Sequence, residues 1–263
     1  VYALELYRDP VTLQPHYREL TDRRFPIRFL VKGAEYDMWG LWRGQTHLFG
    51  VDEGAFYYVL GTDKQGRDLL SRTIFAGRIS LTIGLVGVII SFILAITFGG
   101  LSGYFGGVVD MIIQRIIEVL TSLPHLPLWM ALAVAIPLNW PIQRVFFAIT
   151  VIISLISWPG LAREVRGKVL TLRETDYITA AAIDNAPTTR LLFSYLIPGV
   201  LSHLIASLTL AVPNMILGET ALSFLGVGLR APAISWGVLL QQAQNIQSVV
   251  MSPWLMTPVF AVI

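Results

Sequence analysis

The chain has no cysteine, which removes disulfides, zinc-thiolate sites and thiol catalysis together. Charge is also scarce. Only 14% of the 263 residues are Asp, Glu, Lys or Arg, against about a quarter in ordinary soluble domains. A formal net charge of +2 and a first third with evenly mixed signs form no basic stripe, so nucleic-acid binding is not expected. There is no G-x-x-x-x-G-K-[ST] loop, no H-E-x-x-H and no G-x-S-x-G, and His16, His47, His125 and His203 are too far apart in sequence to suggest a ligand pair. These absences argue against an enzyme active site, a metal site or a cofactor in this chain.

What is present is apolar and segregated. Hydrophobic residues make up 54% of the chain, and residues 1–78 hold eleven of its nineteen Lys/Arg and ten of its seventeen Asp/Glu. Beyond them, "ISLTIGLVGVIISFILAITFGGLSGYF" exceeds the roughly 20 apolar residues that cross a bilayer core. Similar uncharged runs predict spans at about 79–104, 119–137, 144–162 and 191–217, with a truncated one at 252–263. The second and third read as a helical hairpin turning at "NWPIQ". Five such runs would bury more surface than a soluble chain of this length can cover. The expected class is therefore an all-α polytopic membrane protein.

Orientation follows from short-loop basic residues, which favour the cytoplasm. The stretch 163–190 holds Arg163, Arg166, Lys168, Arg173 and Arg190, whereas "IPLNWPIQR" and the 226–250 connection hold one each. This makes 163–190 a cytoplasmic loop and puts the 104–118 turn on the same side. Residues 1–59 then form a small extracytoplasmic elaboration, with short strands, ahead of a membrane domain at 60–263. A span preceding Val1 is expected if the N-terminus is cytoplasmic.

The loop contains "TLRETDYITAAAIDNAPTTR". Thr171 and Glu174 have capping-box spacing, which predicts a helix from Leu172; Ala180–Ala182 extend it at little entropic cost. Asn185 tolerates a left-handed terminal conformation and Pro187 blocks continuation, giving a helix of about a dozen residues. Tyr177, Ala180, Ala181 and Asp184 fall on one face, where small side chains and an aromatic anchor suit a docked partner.

"DYITAAAIDNA" followed by "YLIP" resembles the coupling-loop signature of bacterial ABC importer permeases. "LGTDKQGRDLLSRTIFAGRISLTIGL", "YFGGVVDMIIQRIIEVLTSLP" and "ILGETALSFLGVGLRAPAISWGVLL" are similar, in order, to segments of the dipeptide/oligopeptide/nickel permease family, over residues 60–263. The resemblance implies a type I ABC importer transmembrane domain of six spans in the inner membrane, importing di- or oligopeptides; nickel, opines or another small polar solute are alternatives, and a proton-coupled secondary transporter a more distant one. It also implies a second permease subunit, two ATPase subunits that bind the ATP and Mg, and an extracytoplasmic solute-binding protein. Asp176, Tyr177, Ala180, Ala181 and Asn185 match the positions that dock on the ATPase. Asn185 and Tyr195 depart from the family's loop glycine and its histidine before Leu-Pro.

Three other features stand out. Glu219, ionisable in an apolar setting, is a candidate for either the solute pathway or a structural role; on a straight helix from Arg190 it lies roughly 43 Å away, near the far membrane surface. Asp110 and Gln114, with Arg115 and Glu118 behind, predict a network of ion pairs and hydrogen bonds at the membrane edge. Gly99, Gly103 and Gly107 repeat at four and predict close helix packing.

Overall fold

The computed structural model describes residues 2–10, 15–38, 42–51, 57–63, 65–245, 249–250 and 252–259. The chain forms two compact units, Val1–Val59 and Leu60–Ile263.

The first unit consists of two antiparallel hairpins. Strand β1 (Tyr2–Arg8) pairs with β2 (Pro15–Arg24), and β3 (Arg28–Met38) with β4 (Trp42–Gly50). In the second hairpin Phe29 opposes Phe49, an aromatic cross-strand pair of the kind that stabilises ribbons. Tyr36 packs edge-on against His47 at 5.4 Å and donates its hydroxyl to the Thr46 carbonyl at 3.0 Å.

The second unit is helical. Helix α1 (Leu69–Phe105) is capped by Asp68, whose carboxylate accepts from the Ser71 N–H at 3.0 Å. Helices α2 (Gly107–Ser122), α3 (His125–Val134), α4 (Ile142–Leu172) and α5 (Asp176–Ile183) follow. A short α6 (Thr188–Arg190) runs through a π-helical stretch, Leu191–Leu196, into α7 (Ile197–Phe224). Helix α8 (Trp236–Gln241) and a 3₁₀ turn (Pro253–Met256) complete the order.

Among the described residues, α1, α4 and Leu204–Phe224 are long and apolar enough to cross a membrane. The expected span at 119–137 is not straight. Leu123 is extended (φ −94°, ψ 138°) because Pro124 crowds the residue before it out of the helical region, and α2 and α3 meet at 87°, counting as a fourth span only if taken as one broken path. The expected turn at 104–118 shrinks to Gly106 and Gly107, whose φ values of 63° and 50° reverse the chain. Residues 108–118 are helix.

Two more boundaries differ. The span at 144–162 continues to Leu172, so the first ten residues of the expected 163–190 loop belong to α4. Arg, Glu, Lys and Leu are good helix formers, and a change from apolar to charged does not itself end a helix. The apolar segment expected at 191–217 moves to Leu204–Phe224, within a helical path continuous from Thr188, and Glu219 does not end it because serine hydroxyls satisfy its carboxyl group. Of the expected 252–263 span, residues 253–256 form a single 3₁₀ turn and 260–263 lie outside the described residues.

Small residues allow α1 to sit against α4. A Cβ on Gly99 would lie 2.4 Å from the Ala162 carbonyl, and one on Gly103 2.9 Å from that of Arg166. Ser91 donates across the interface to the Ser154 carbonyl at 3.0 Å, and the Ser154 hydroxyl is shared between the Thr150 carbonyl of its own helix at 2.6 Å and the Gly87 carbonyl of α1 at 3.0 Å. Gly107 contributes no packing; nothing lies within 4 Å of its would-be Cβ. On the outside of α1, Ile74, Leu81, Leu85, Ile89 and Ile93 form an exposed apolar stripe, 47–70% accessible. That surface suits lipid or a partner helix rather than water.

Candidate functional site

The polar ends of α1, α2 and α4 meet beside α5. Asp110, in the first turn of α2, receives a bidentate ion pair from Arg166 of α4 (Nε 2.6 Å, Nη2 2.5 Å) and a hydrogen bond from Ser102 of α1. Gln114 donates to the same Ser102 hydroxyl at 3.2 Å. The membrane-edge network thus exists, but its cation is Arg166; Arg115 and Glu118 form a separate exposed pair at 2.8 Å. Arg173 then donates to the Gly103 and Tyr104 carbonyls at 3.2 and 3.4 Å, satisfying the C-terminal carbonyls of α1 with a positive charge.

Helix α5 starts later than the capping-box spacing predicts. Thr171 lies in the last turn of α4, and α5 begins after Thr175, whose hydroxyl donates back to the Leu172 carbonyl at 2.6 Å. Continuation of α4 takes up the residues that spacing assigned to the helix start, leaving eight in α5. Asp176 occupies the first turn, where its charge favours the helix dipole.

The other end follows the local rule closely. Ala186 N–H donates to the Ala181 carbonyl and Asn185 N–H to the Ala182 carbonyl, both at 3.1 Å. This pair of bonds is a Schellman motif, and Asn185 takes the left-handed position with φ 56°.

Burial divides α5 into two faces. Ile178 is 3% exposed and packs with Val165, Val169, Leu192 and Leu196. Tyr177, Ala180 and Asp184 are exposed and Ala181 half-buried, around a shallow hollow that Ala180, Ala181, Ile183 and Asp184 line. Asp176, Tyr177, Ala180, Ala181, Asp184 and Asn185 therefore sit together on one short helix. Glu219 does not join them.

Glu219 is fully buried near the end of α7. Ser223 and Ser235 donate to its Oε1 at 2.7 and 2.8 Å, and Ser80 donates to Oε2 at 3.3 Å. Each serine oxygen also accepts from a backbone N–H: Leu229 on Ser223 at 2.9 Å, Trp236 on Ser80 at 3.2 Å and Val238 on Ser235 at 3.3 Å. The carboxyl group thus orients three hydroxyls that hold the 229–238 segment against α1 and α7.

A cleft of about 770 Å³ lies among α1, α3, α4 and α7. Leu126, Leu161, Leu208 and Met215 are among its apolar residues; Ser157, Glu164, Ser207 and Asn214 are among its polar ones. Glu164 was not singled out by sequence reasoning, which counted the start of this segment only for basic residues. Gly218 and Ala221 reach the cleft while Glu219 between them points away. Among the described residues, no group of three or more His, Asp or Glu side chains is arranged to hold a metal ion. The side chains of His16 and His203 lie outside the described residues.

Apolar helices with lipid-suited outer faces, with a polar network and a short presented helix beyond them, define a multi-pass membrane protein. Residues 87–263 match the family described as binding-protein-dependent transport system inner membrane component, and the chain belongs to that family. It is 40% identical over 200 residues to the oligopeptide transport system permease protein OppC of Haemophilus influenzae, covering 76% of this chain and 62% of that one. It is also 40% identical over 179 residues to the dipeptide transport system permease protein DppC of Bacillus subtilis, covering 68% and 54%. OppC of Escherichia coli K12 is 38% identical over 215 residues, covering 82% and 68%. The chain thus spans less than two thirds of the length of the first two.

Among solved structures, an inward-facing MetNI methionine ABC transporter superposes with a TM-score of 0.56 at 18% identity, covering 74% of this chain and 91% of that one. An amino acid ABC transporter gives 0.51 at 17%, covering 73% and 85%. The fold is that of a type I ABC importer transmembrane domain, and the protein is a multi-pass component of the inner membrane.

Proposed function

We propose that this chain is one permease half of an ATP-driven importer that carries di- or oligopeptides across the inner membrane. Its partners are a second permease subunit, two ATPase subunits and an extracytoplasmic solute-binding protein, with ATP and Mg held by the ATPases and no catalysis in this chain. Peptide is the substrate class of the relatives' names at 38–40% identity. In this reading residues 1–59 are extracytoplasmic and brace the binding protein or the second permease.

The observation that carries the proposal is the two-sided burial of α5. Ile178 anchors the helix to α4 and the π-helical stretch, while Tyr177, Ala180 and Asp184 are presented outward. A helix fixed on one face and open on the other can be pushed as a unit. The ATPase takes the open face, Tyr177 filling a pocket and the alanines allowing close backbone approach. Movement reaches α4 through Ile178, and α1 and α2 through Arg173 and the Asp110–Arg166 pair, so that closure of the ATPases shifts the balance between outward and inward access.

The test is uptake of a labelled tripeptide into vesicles holding the reconstituted complex. Uptake is expected only with ATP, ATPase subunits and binding protein together, and Tyr177→Ala is expected to lower it at least fivefold while leaving the complex assembled. Peptide uptake without ATPase subunits would refute the reading.

A further inference from the structure

The cleft has a chemical asymmetry that its apolar walls conceal. Among the described residues lining it, Glu164 carries the one carboxylate, and neither lysine nor arginine is present. Both adjacent arginines are engaged elsewhere: Arg166 with Asp110, and Arg163 with the Thr121 hydroxyl at 3.3 Å. Glu164 instead accepts from Ser207 of α7 at 2.6 Å. It is exposed, so its charge is available to a molecule in the cleft. A carboxylate at the mouth of a cleft whose lining includes His125 but neither lysine nor arginine is free to pair with a cationic group that enters there.

The rest of the cleft agrees with a ligand that is cationic at one end and amide-like along its length. From Ser207 to Ala221 the α7 wall runs fourteen residues, about 21 Å, long enough for a short extended chain. Ser157 and Asn214 donate to the Ile153 and Leu210 carbonyls of their own helices at 2.7 and 3.2 Å, which leaves their oxygens to accept from backbone amide N–H groups, while Leu126, Leu161, Leu208 and Met215 make a wall indifferent to side-chain identity. Glu164 stands two residues from Arg166, at the mouth nearest α5.

We propose that Glu164 is a selectivity residue that receives the primary ammonium of the solute in the cleft, the N-terminal amine of a peptide, at the end nearest α5. The proposal rests on the peptide-importer reading above. A phosphatidylethanolamine headgroup presents the same ammonium, and the test separates the two sources.

The chain has no cysteine, so Ser157→Cys provides a single reactive thiol in the cleft, seven residues and about 10 Å along α4 from Glu164. The assembled complex is placed in phosphatidylcholine nanodiscs, which bring no primary amine. Labelling of this chain by an ammonium-bearing and a sulfonate-bearing methanethiosulfonate is followed by mass spectrometry. Glu164→Gln removes the charge but keeps an oxygen to accept from Ser207. It is expected to lower the cation-to-anion labelling ratio roughly tenfold; a change below twofold would overturn the proposal. Trialanine is expected to slow labelling with Glu164 present, and N-acetyl-trialanine or the Gln variant to abolish that protection. Equal protection by both peptides, or protection that survives Glu164→Gln, would also overturn it. Protection on adding phosphatidylethanolamine, with none from trialanine, would assign the site to lipid and reject the peptide. None of these readouts requires transport, so a complex that fails to take up peptide would refute the proposed function while leaving the charge preference of the cleft measurable.

Discussion

Replacing Glu219 by leucine removes the acceptor for three buried hydroxyls at once. Ser80, Ser223 and Ser235 would each keep a backbone N–H to accept from but lose the oxygen they donate to. A buried donor left without a partner costs about 1–3 kcal/mol. Hydroxyl rotation recovers some of this, so the lower part of the range applies, and three serines sum to about 3–5 kcal/mol. Glu219→Gln keeps the carbonyl oxygen for Ser223 and Ser235 and disturbs only the Ser80 contact, at about 1 kcal/mol. With about 2–4 °C per kcal/mol for a chain of this size, the leucine variant should melt at least 6 °C below wild type and the glutamine variant within about 4 °C of it. The assay is thermal denaturation of the detergent-solubilised protein, followed by size-exclusion recovery. Adding Ser235→Ala to Glu219→Leu should cost less than the sum of the two changes, because both act on one network. A leucine variant as stable as wild type, or strictly additive costs, would refute the idea that the carboxyl group organises the 229–238 segment.

Three further outcomes are expected. Asn185→Gly should preserve ATP-coupled uptake, since glycine takes φ 56° without strain, whereas Asn185→Val should impair it; equal uptake by both would mean that the Schellman turn does not shape coupling. Gly99→Ala should destabilise the solubilised protein by about 1–3 kcal/mol by driving its methyl into the Ala162 carbonyl, while Gly100→Ala, in the same helix with open space around its would-be Cβ, should be stabilising by about 0.5–1 kcal/mol in the same melting assay. Burial would raise the pKa of Asp63, but hydrogen bonds from Arg67 (backbone and guanidinium) and the Gln65 N–H, with the Arg72 charge, outweigh it and hold the pKa below the usual carboxylate range. Its contribution to stability is then complete above the unfolded value and lost as pH falls through the folded one, so acid melting below about pH 4 should be flatter in Asp63→Asn.

Much of the architecture was legible because the signals are local or cumulative. A 31-residue stretch without a charge, from Ile79 to Val109, can hardly avoid forming an apolar helix in lipid, and α1 contains nearly all of it. The end of α5 was legible for a similar reason: Asn185 and Pro187 act within one turn, and their geometry needs no distant partner. Helix ends set by competition were not legible. Thr171 and Glu174 have the spacing of a helix start, yet α4 extends through Thr171 because the residues before it are good helix formers with Val165 and Val169 buried beneath them. Likewise Asp110 had Arg115 nearby in sequence, but helix packing delivered Arg166, 56 residues away.

The sequence by itself determined the class of protein: the density of uncharged runs leaves a lipid environment as the place where such surface can be accommodated, and the turn chemistry of 185–187 determined where the short helix beyond the apolar helices ends. Tertiary structure decided which polar groups meet. Ser80 and Glu219, 139 residues apart, share a hydrogen bond, and Glu164 on α4 faces a cleft while Glu219 on α7 is locked among serines. Periodicity places a residue on a face of its own helix; only packing determines what that face meets.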